Sequence, residues 1–291
     1  MKRKPSPATS QLEAFFELTK PRITFLILVS TALGFYLGSQ GKINSNQFAF
    51  TMVGTFLLAG GAGAINHFVE KDLDKLMDRT QSRPIPAGII SGKNALFFGV
   101  SITIIGFIIL AALVNHLTAI LGLITVLLYI FIYTPLKRYS TLNTIVGAIP
   151  GALPPIGGWF AATSETSSIV TALFGIMFCW QIPHFLSLAY MYSQDYKKGG
   201  FIMLPSLYSN QVQTRVHIVF FTLCLIFITF SLYYNEAVGN IYLLGNIFLS
   251  LLFIYYVSKF TFSVNQKTAK GLFFASILYL PVLLVLVIIN S

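Results

Sequence analysis

Asn66, Glu70, Asp74 and Asp78 recur at intervals of four within NHFVEKDLDKLMDRTQSRPIPAG, residues 66–88. On a helix each step of four turns about 40°, so these side chains would form one slowly drifting stripe over neighbouring turns. Carboxylates placed this way repel one another unless a cation holds them. Carboxylate and amide oxygens suit Mg²⁺, a hard ion usually bound by one or two carboxylates together with substrate phosphates. Asp72 points off the stripe. Arg79 and Arg83 follow directly and could hold phosphate oxygens through charge-assisted hydrogen bonds. A solvated loop of mutually paired charges would carry the same letters. The stripe, however, begins inside the membrane end of an apolar block, after Gly60, Gly61 and Gly63, where ionisable groups are functional by default.

The elements that must position this stripe are membrane helices. Of the 291 residues, 55% are hydrophobic and 10% charged, against about 25% charged in soluble domains. Residues 23–39, 48–65, 95–114, 117–133, 143–162, 169–190, 216–234, 239–257 and 271–289 each lack Asp, Glu, Lys and Arg. A span needs roughly 17–25 residues, and backbone groups in lipid must be satisfied within the segment. The expected fold is therefore all-α, a polytopic bundle of nine transmembrane helices. The short alternating segments of a β-barrel are absent.

The net charge of +10 is explained by sidedness rather than by nucleic acid. With the N-terminus inside and nine alternating spans, every Lys and Arg except Lys42 falls on the inner side. The positive-inside rule then puts the N-terminus in the cytoplasm and the C-terminus outside. One intramembrane domain, 1–291, is expected, with a short cytoplasmic segment over 1–20. That segment has no apolar signal core and contains Glu13 and Glu17, which points to a bacterial inner membrane rather than a mitochondrial import route. Cys179 and Cys224 both lie in apolar blocks and read as packing residues. The fifth block, NTIVGAIPGALPPIGGWFAA, combines Gly147, Gly151, Gly157 and Gly158 with Pro150, Pro154 and Pro155. It should be kinked or broken and should allow close approach of a neighbouring helix.

Asn66-x-x-x-Glu70-x-x-x-Asp74 resembles the first aspartate-rich motif of the UbiA superfamily of intramembrane prenyltransferases, N-D-x-x-D-x-x-x-D. His67 and Glu70 stand in two of its Asp places. Further segments extend the likeness: Thr19-Lys20-Pro21-Arg22, then Met77, Arg79, Thr80, Arg83 and Pro84, then Tyr133-Thr134-Pro135-Leu136-Lys137-Arg138. Trp180-Gln181-Ile182-Pro183-His184-Phe185, Asp195-Tyr196-Lys197-Lys198 and Met203-Leu204-Pro205 complete an ordered set. From about residue 17 onward this set is similar to the heme-farnesylating branch of the superfamily. The resemblance implies nine transmembrane helices and transfer of a farnesyl group from farnesyl diphosphate to a vinyl group of heme b, with addition of water. It also implies heme O as product and a downstream heme A synthase as partner.

Departure of diphosphate from an allylic carbon concentrates negative charge on the leaving group. Mg²⁺ and basic side chains stabilise that charge, while the organic cation needs a dry cavity. The expected first Mg²⁺–diphosphate site is Asn66, Glu70 and Asp74, with Asp78 extending it, and Asp195 is the expected second-site carboxylate. The superfamily's second motif is often D-x-x-x-D, but its last place here is Gly199, so Lys197 or Lys198 could contact phosphate instead. Arg22, Arg79, Lys137 and Arg138 are further diphosphate candidates. His184, at intramembrane depth, and His67 are the expected heme contacts. The competing readings are a prenyltransferase acting on an aromatic quinone precursor and a secondary transporter. A transporter would place its site near the midplane rather than at the ends of two spans.

Overall fold

The computed structural model describes residues 10–207, 209–235 and 237–290. Lys2, Arg3 and Lys4, part of the basic inner segment expected from the sequence, lie outside them. The described residues contain helices and no strands. Among the described residues, nine helices are long and apolar enough to cross a membrane: Pro21–Ser39, Ser45–Val69, Gly92–Leu113, His116–Leu136, Asn143–Ala162, Ser168–Met191, Val212–Tyr234, Asn240–Phe262 and Gln266–Asn290. The protein is a multi-pass membrane protein, and each charge-free block of the sequence falls largely within one span. A short helix, Gln11–Leu18, precedes the first span and starts with a capping box between Ser10 and Glu13.

Side-chain oxygens start several spans by accepting otherwise unpaired backbone N–H groups. Asn44, Ser91, Asn115 and Ser167 cap the second, third, fourth and sixth spans. The second and third spans pack along each other, and the first lies on the later half of the fifth. The sixth span is central, touching the fifth, seventh and ninth. The largest apolar core joins its Leu173, Ile176 and Ile182 to Leu225, Phe253 and Leu283 from later spans. Cys179 and Cys224 are free thiols within this core region, consistent with packing roles.

The fifth span behaves as its composition demands. It is helical over Asn143–Ala152 and again over Pro154–Ala162, with the break at Leu153. Its glycines admit neighbours. Gly147 faces the Tyr133 ring and Gly151 faces Gln181 Oε1, each too near for a side chain. A Cβ at Gly158 would fall 1.9 Å from the Thr31 carbonyl oxygen, and one at Gly34 would fall 1.8 Å from that of Pro155. The first and fifth spans therefore meet backbone to backbone.

The loops 70–91, 137–142 and 192–207 and the start of the first span all meet at one end of the bundle, joined by direct contacts. This charged end carries the aspartate motif. Because the Gly34 and Gly158 contacts are with backbone, neither site can relax by a rotamer change. Gly34→Ala and Gly158→Ala should each destabilise the bundle by roughly 1–3 kcal/mol, read as a lower apparent melting temperature in detergent. Gly157→Ala, where a Cβ would meet nothing within 4 Å, should leave that temperature unchanged.

Candidate active site

The second span ends at Val69, and Glu70 closes it by donating its backbone N–H to the Asn66 carbonyl. One further turn, Lys71–Asp74, follows before the chain leaves the helix. Asn66, Glu70 and Asp74 thus remain stacked on one side. Asn66 and Asp74 have no exposed surface, and Glu70 is 6% exposed. Asp78 does not join them. After Asp74 the backbone tightens into turns, with Leu76 N–H donating to Leu73 and Met77 N–H to Asp74. The expected fourth step of the stripe is lost, and Asp78 lies exposed at the surface, 2.8 Å from Lys198.

The same turns return Arg83 to the stripe. Thr80 donates its N–H to the Met77 carbonyl and its hydroxyl to the Asp74 carbonyl, at 2.8 Å. Arg83 N–H donates to Thr80. The guanidinium then reaches both carboxylate oxygens of Asp74, at 2.9 and 2.7 Å. A carboxylate without solvent contact needs such a partner, because desolvation of an unpaired ion costs several kcal/mol.

Lys20 enters from the first span. It sits at φ 51°, ψ 58°, in the left-handed region, immediately before Pro21. A non-glycine residue there is uncommon and marks a functional or strained position. The chain at Leu18–Lys20 presses on the second span where side chains are missing. A Cβ at Gly63 would lie 3.0 Å from the Leu18 carbonyl oxygen and 3.3 Å from Lys20 Cγ. Lys20 Nζ donates to Asn66 Oδ1 at 2.5 Å and to the Tyr129 hydroxyl at 3.2 Å.

The fourth span closes the cluster. Its last turns, Leu128–Tyr133, are π-helical, a distortion frequent at functional sites. Thr134 Oγ1 accepts from Asn66 Nδ2 at 3.0 Å. Lys137 forms an ion pair with Glu70 and lies over the Tyr133 ring, 4.7 Å from its centre. Burial, aided by the Arg83 and Lys137 charges, pushes the Lys20 ammonium down to about 7, against the pull of Glu70 and Asp74. Burial would raise the Glu70 carboxyl, but Lys137 and Lys20 outweigh it and hold that group below its ordinary value. Burial would lower Lys137, yet the Glu70 charge more than offsets this and keeps it above the usual lysine range.

The second acidic loop packs over the first. Arg79 lies on the rings of Tyr192 and Tyr196, at 5.4 and 5.8 Å, and Met77 packs with Ala189, Phe201 and Met203. Asp195 is half-buried, while Lys197 and Lys198 are exposed. Gly199 has a packing reason. A Cβ there would fall 2.9 Å from Met77 Cγ and Sδ, so a larger side chain at that place would displace the Met77 side chain. Beside the cluster, a cavity of about 100 Å³ is lined by Tyr133, Thr144, Gly147, Phe185, Leu188 and Tyr196. A wider open hollow of about 560 Å³ lies at the opposite end, among Tyr233, Tyr234, Asn240 and Asn290, away from these charges.

Of the remaining candidates, Arg22 and Arg138 are exposed and have no ion pair with a described residue. His67 is 2% exposed and its Nδ1 has no hydrogen-bond partner. His184 faces the ninth span, its ring stacked between Trp180 and Phe273, at 4.9 and 4.8 Å. Its Nδ1 is 2.8 Å from Ser276 Oγ. Sequence reasoning chose Arg22 where the structure brings in Lys20, and it missed Tyr129 and Thr134. Thr134 lay within one of the segments that carry the family likeness, but nothing in its type marked it as a contact, and Tyr129 had only its position near the charged end of a span. Among the described residues no three Asp, Glu, His or Cys side chains converge on a metal position. The chain thus offers a metal one or two carboxylates at a time, which fits Mg²⁺ held jointly with phosphate oxygens.

Residues 27–278 match the UbiA prenyltransferase family. The chain is 38% identical to the protoheme IX farnesyltransferase of Solibacter usitatus, over 95% of this chain and 98% of that one. It is 40% identical to the protoheme IX farnesyltransferase of Salinibacter ruber, over 94% and 96%. Among solved structures, one concerned with digeranylgeranylglyceryl phosphate synthase superposes with a TM-score of 0.82 at 18% identity, covering 96% of this chain and 98% of that one. A UbiA homolog from Archaeoglobus fulgidus bound to GPP and Mg²⁺ gives 0.64 at 16% identity, covering 94% and 99%. These structural likenesses establish the fold.

Removing Arg83 should leave Asp74 charged, buried and unpaired. Arg83→Met is expected to cost about 3–5 kcal/mol of stability, measured as a fall in apparent melting temperature. Adding Asp74→Asn should recover much of that loss. Lys198→Ala, which removes an exposed pair, should leave stability unchanged.

Proposed function

The chain belongs to the UbiA prenyltransferase family, and from that premise we propose that it transfers a farnesyl group from farnesyl diphosphate to a vinyl group of heme b, giving heme O. That it is a prenyltransferase follows from the family and from relatives named protoheme IX farnesyltransferase along nearly its whole length. The observation that carries the reading further is the buried cluster of Asn66, Glu70 and Asp74 with Lys20, Arg83 and Lys137 at one mouth of the bundle. We assign that mouth to the cytoplasmic side of a bacterial plasma membrane, N-terminus inside and C-terminus outside, on the distribution of Lys and Arg.

Asn66, Glu70 and Asp74 would hold Mg²⁺ together with the diphosphate, and Asp195 and Asp78, both more exposed than the stripe, would be secondary carboxylates. Bound there, the ion would supply positive charge to the departing diphosphate. Lys20, Lys137 and Arg83 would turn to its oxygens on binding, and donors in place before the bond breaks need no reorganisation as charge develops. Arg79, Lys197 and Lys198 lie further out, where they attract the diphosphate as it arrives. When the allylic C–O bond breaks, the electron pair leaves with diphosphate. The farnesyl carbon bonds to one vinyl carbon, and the other takes hydroxide from water with release of a proton. Tyr133, Phe185 and Leu188 keep water from the farnesyl cation until that bond forms. Their cavity, about 100 Å³, is smaller than the roughly 300–1,000 Å³ of ligand pockets, so its walls must part to admit both substrates.

For heme, His184 is the better-prepared contact. The Ser276 hydroxyl donates to the Phe273 carbonyl at 2.6 Å, so toward His184 it acts as an acceptor. Nδ1 of His184 then carries the proton, and Nε2 keeps its lone pair for iron. Trp180 holds Ser276 from the other side by donating Nε1–H to the Ser276 carbonyl at 2.8 Å. His67 is a second candidate, through its unpartnered Nδ1.

The direct test is purified protein supplied with heme b, farnesyl diphosphate and Mg²⁺, with products weighed by mass spectrometry. A heme adduct bearing farnesyl plus the elements of water is expected. Prenylation of a hydroxybenzoate with no heme adduct would overturn the assignment. Asp74→Asn should lower turnover by roughly a hundredfold or more while the protein still inserts and elutes as a single species. Ser276→Ala should weaken heme binding about 10- to 100-fold, read from the Soret band on titration, while leaving prenyl diphosphate binding unchanged.

A further inference from the structure

Each side chain of the stripe is already paired with a cation of the same chain. Asn66 Oδ1 receives Lys20, Glu70 is paired with Lys137, and both oxygens of Asp74 receive Arg83. These contacts are sheltered: the side chains of Lys137 and Arg83 are 12% and 23% exposed, and those of Glu70 and Asp74 are 8% and 0%. The cluster therefore sets three basic groups against two acidic ones. A divalent cation approaching alone would meet carboxylates that are already neutralised by Lys137 and Arg83, with a third basic group, Lys20, on Asn66 beside them. It would have to displace an internal counter-ion and leave that ion buried without a partner, which is among the costliest changes a protein interior can undergo.

A diphosphate changes this balance. It carries several negative charges and many acceptor oxygens, and so offers Lys20, Lys137 and Arg83 new partners of the kind they bind well. Once those cations turn to phosphate, Glu70 and Asp74 are freed to hold metal. We infer that Lys20, Lys137 and Arg83 act as place-holders in the metal site, so that metal and diphosphate bind as a pair and neither binds well alone. This rests on the prenyl diphosphate reading of the site and adds an order to it. The exchange also keeps the carboxylates compensated at every stage, since each is paired either with a protein cation or with the metal.

Linkage makes the inference measurable, because each ligand must strengthen the other by the same factor. The experiment is equilibrium dialysis of the full chain in phosphatidylcholine nanodiscs against Mn²⁺, with and without inorganic pyrophosphate, using empty discs as the blank. Mn²⁺ retained by the protein should bind roughly tenfold to a hundredfold more tightly when pyrophosphate is present. Calorimetric titration of pyrophosphate should show the same factor on adding Mn²⁺. Lys137→Met, which releases Glu70, should bind Mn²⁺ alone more tightly than the wild type and show less coupling. The wild-type coupling tests the proposal even if that variant does not fold. Equal Mn²⁺ affinity with and without pyrophosphate would overturn the place-holder role and leave the diphosphate site standing. Failure of pyrophosphate to bind under any condition would overturn both.

Discussion

A carboxylate with no exposed surface, at the mouth of a membrane bundle, is the constraint on which the rest of the site depends. Asp74 is acceptable there only because Arg83 reaches both of its oxygens. That single requirement dictates the path of the loop. The helix must end soon after Asp74, Thr80 must turn back onto the Asp74 carbonyl, and Arg83 must arrive nine residues later on the same side. The same logic of compensation brings Lys137 to Glu70 from the fourth span and Lys20 to Asn66 from the first. Charge pairing joins these span ends at the mouth, alongside smaller apolar clusters around Met77 and around Leu18 and Ile85.

Small residues make the convergence possible. Gly63 gives room for the left-handed turn at Lys20, Gly34 and Gly158 bring the first span against the fifth, and Gly147 receives the Tyr133 ring over which Lys137 lies. Gly199 does the corresponding work on the second loop by accepting Met77. A side chain at Gly199 would require the Met77 side chain to move. One carboxylate, Asp195, remains there, and the basic residues around it outnumber it.

Much of the fold was legible in the chain because lipid imposes a simple rule: each span must be long, apolar and internally hydrogen-bonded. The nine blocks, the break in the fifth span and the gathering of charge at one end all follow from it. The stripe of Asn66, Glu70 and Asp74 was legible from helical spacing. Asp78 was not, because spacing alone cannot show where a helix stops, and here the turns that return Arg83 end the stripe one step early. Lys20 and Arg22 stand two apart in the same basic motif, and only the left-handed backbone before Pro21 decides which one turns inward. Ser276 lies 92 residues from His184, so no local pattern could reveal their contact.

A membrane enzyme that ionises an allylic diphosphate must join two incompatible environments, a charged one for the leaving group and a dry one for the cation. In the proposed reading they would meet at Tyr133, whose ring lies beneath Lys137 and lines the cavity that also touches Phe185. The most direct test of that arrangement is an experimental structure with Mn²⁺ and an unreactive farnesyl thiodiphosphate. The metal should sit about 2.0–2.4 Å from a carboxylate oxygen of Glu70 or Asp74, with Lys20, Lys137 and Arg83 turned to phosphate oxygens and the farnesyl chain running past Tyr133. A diphosphate bound elsewhere, with the Asp74–Arg83 and Glu70–Lys137 pairs unbroken, would contradict the account.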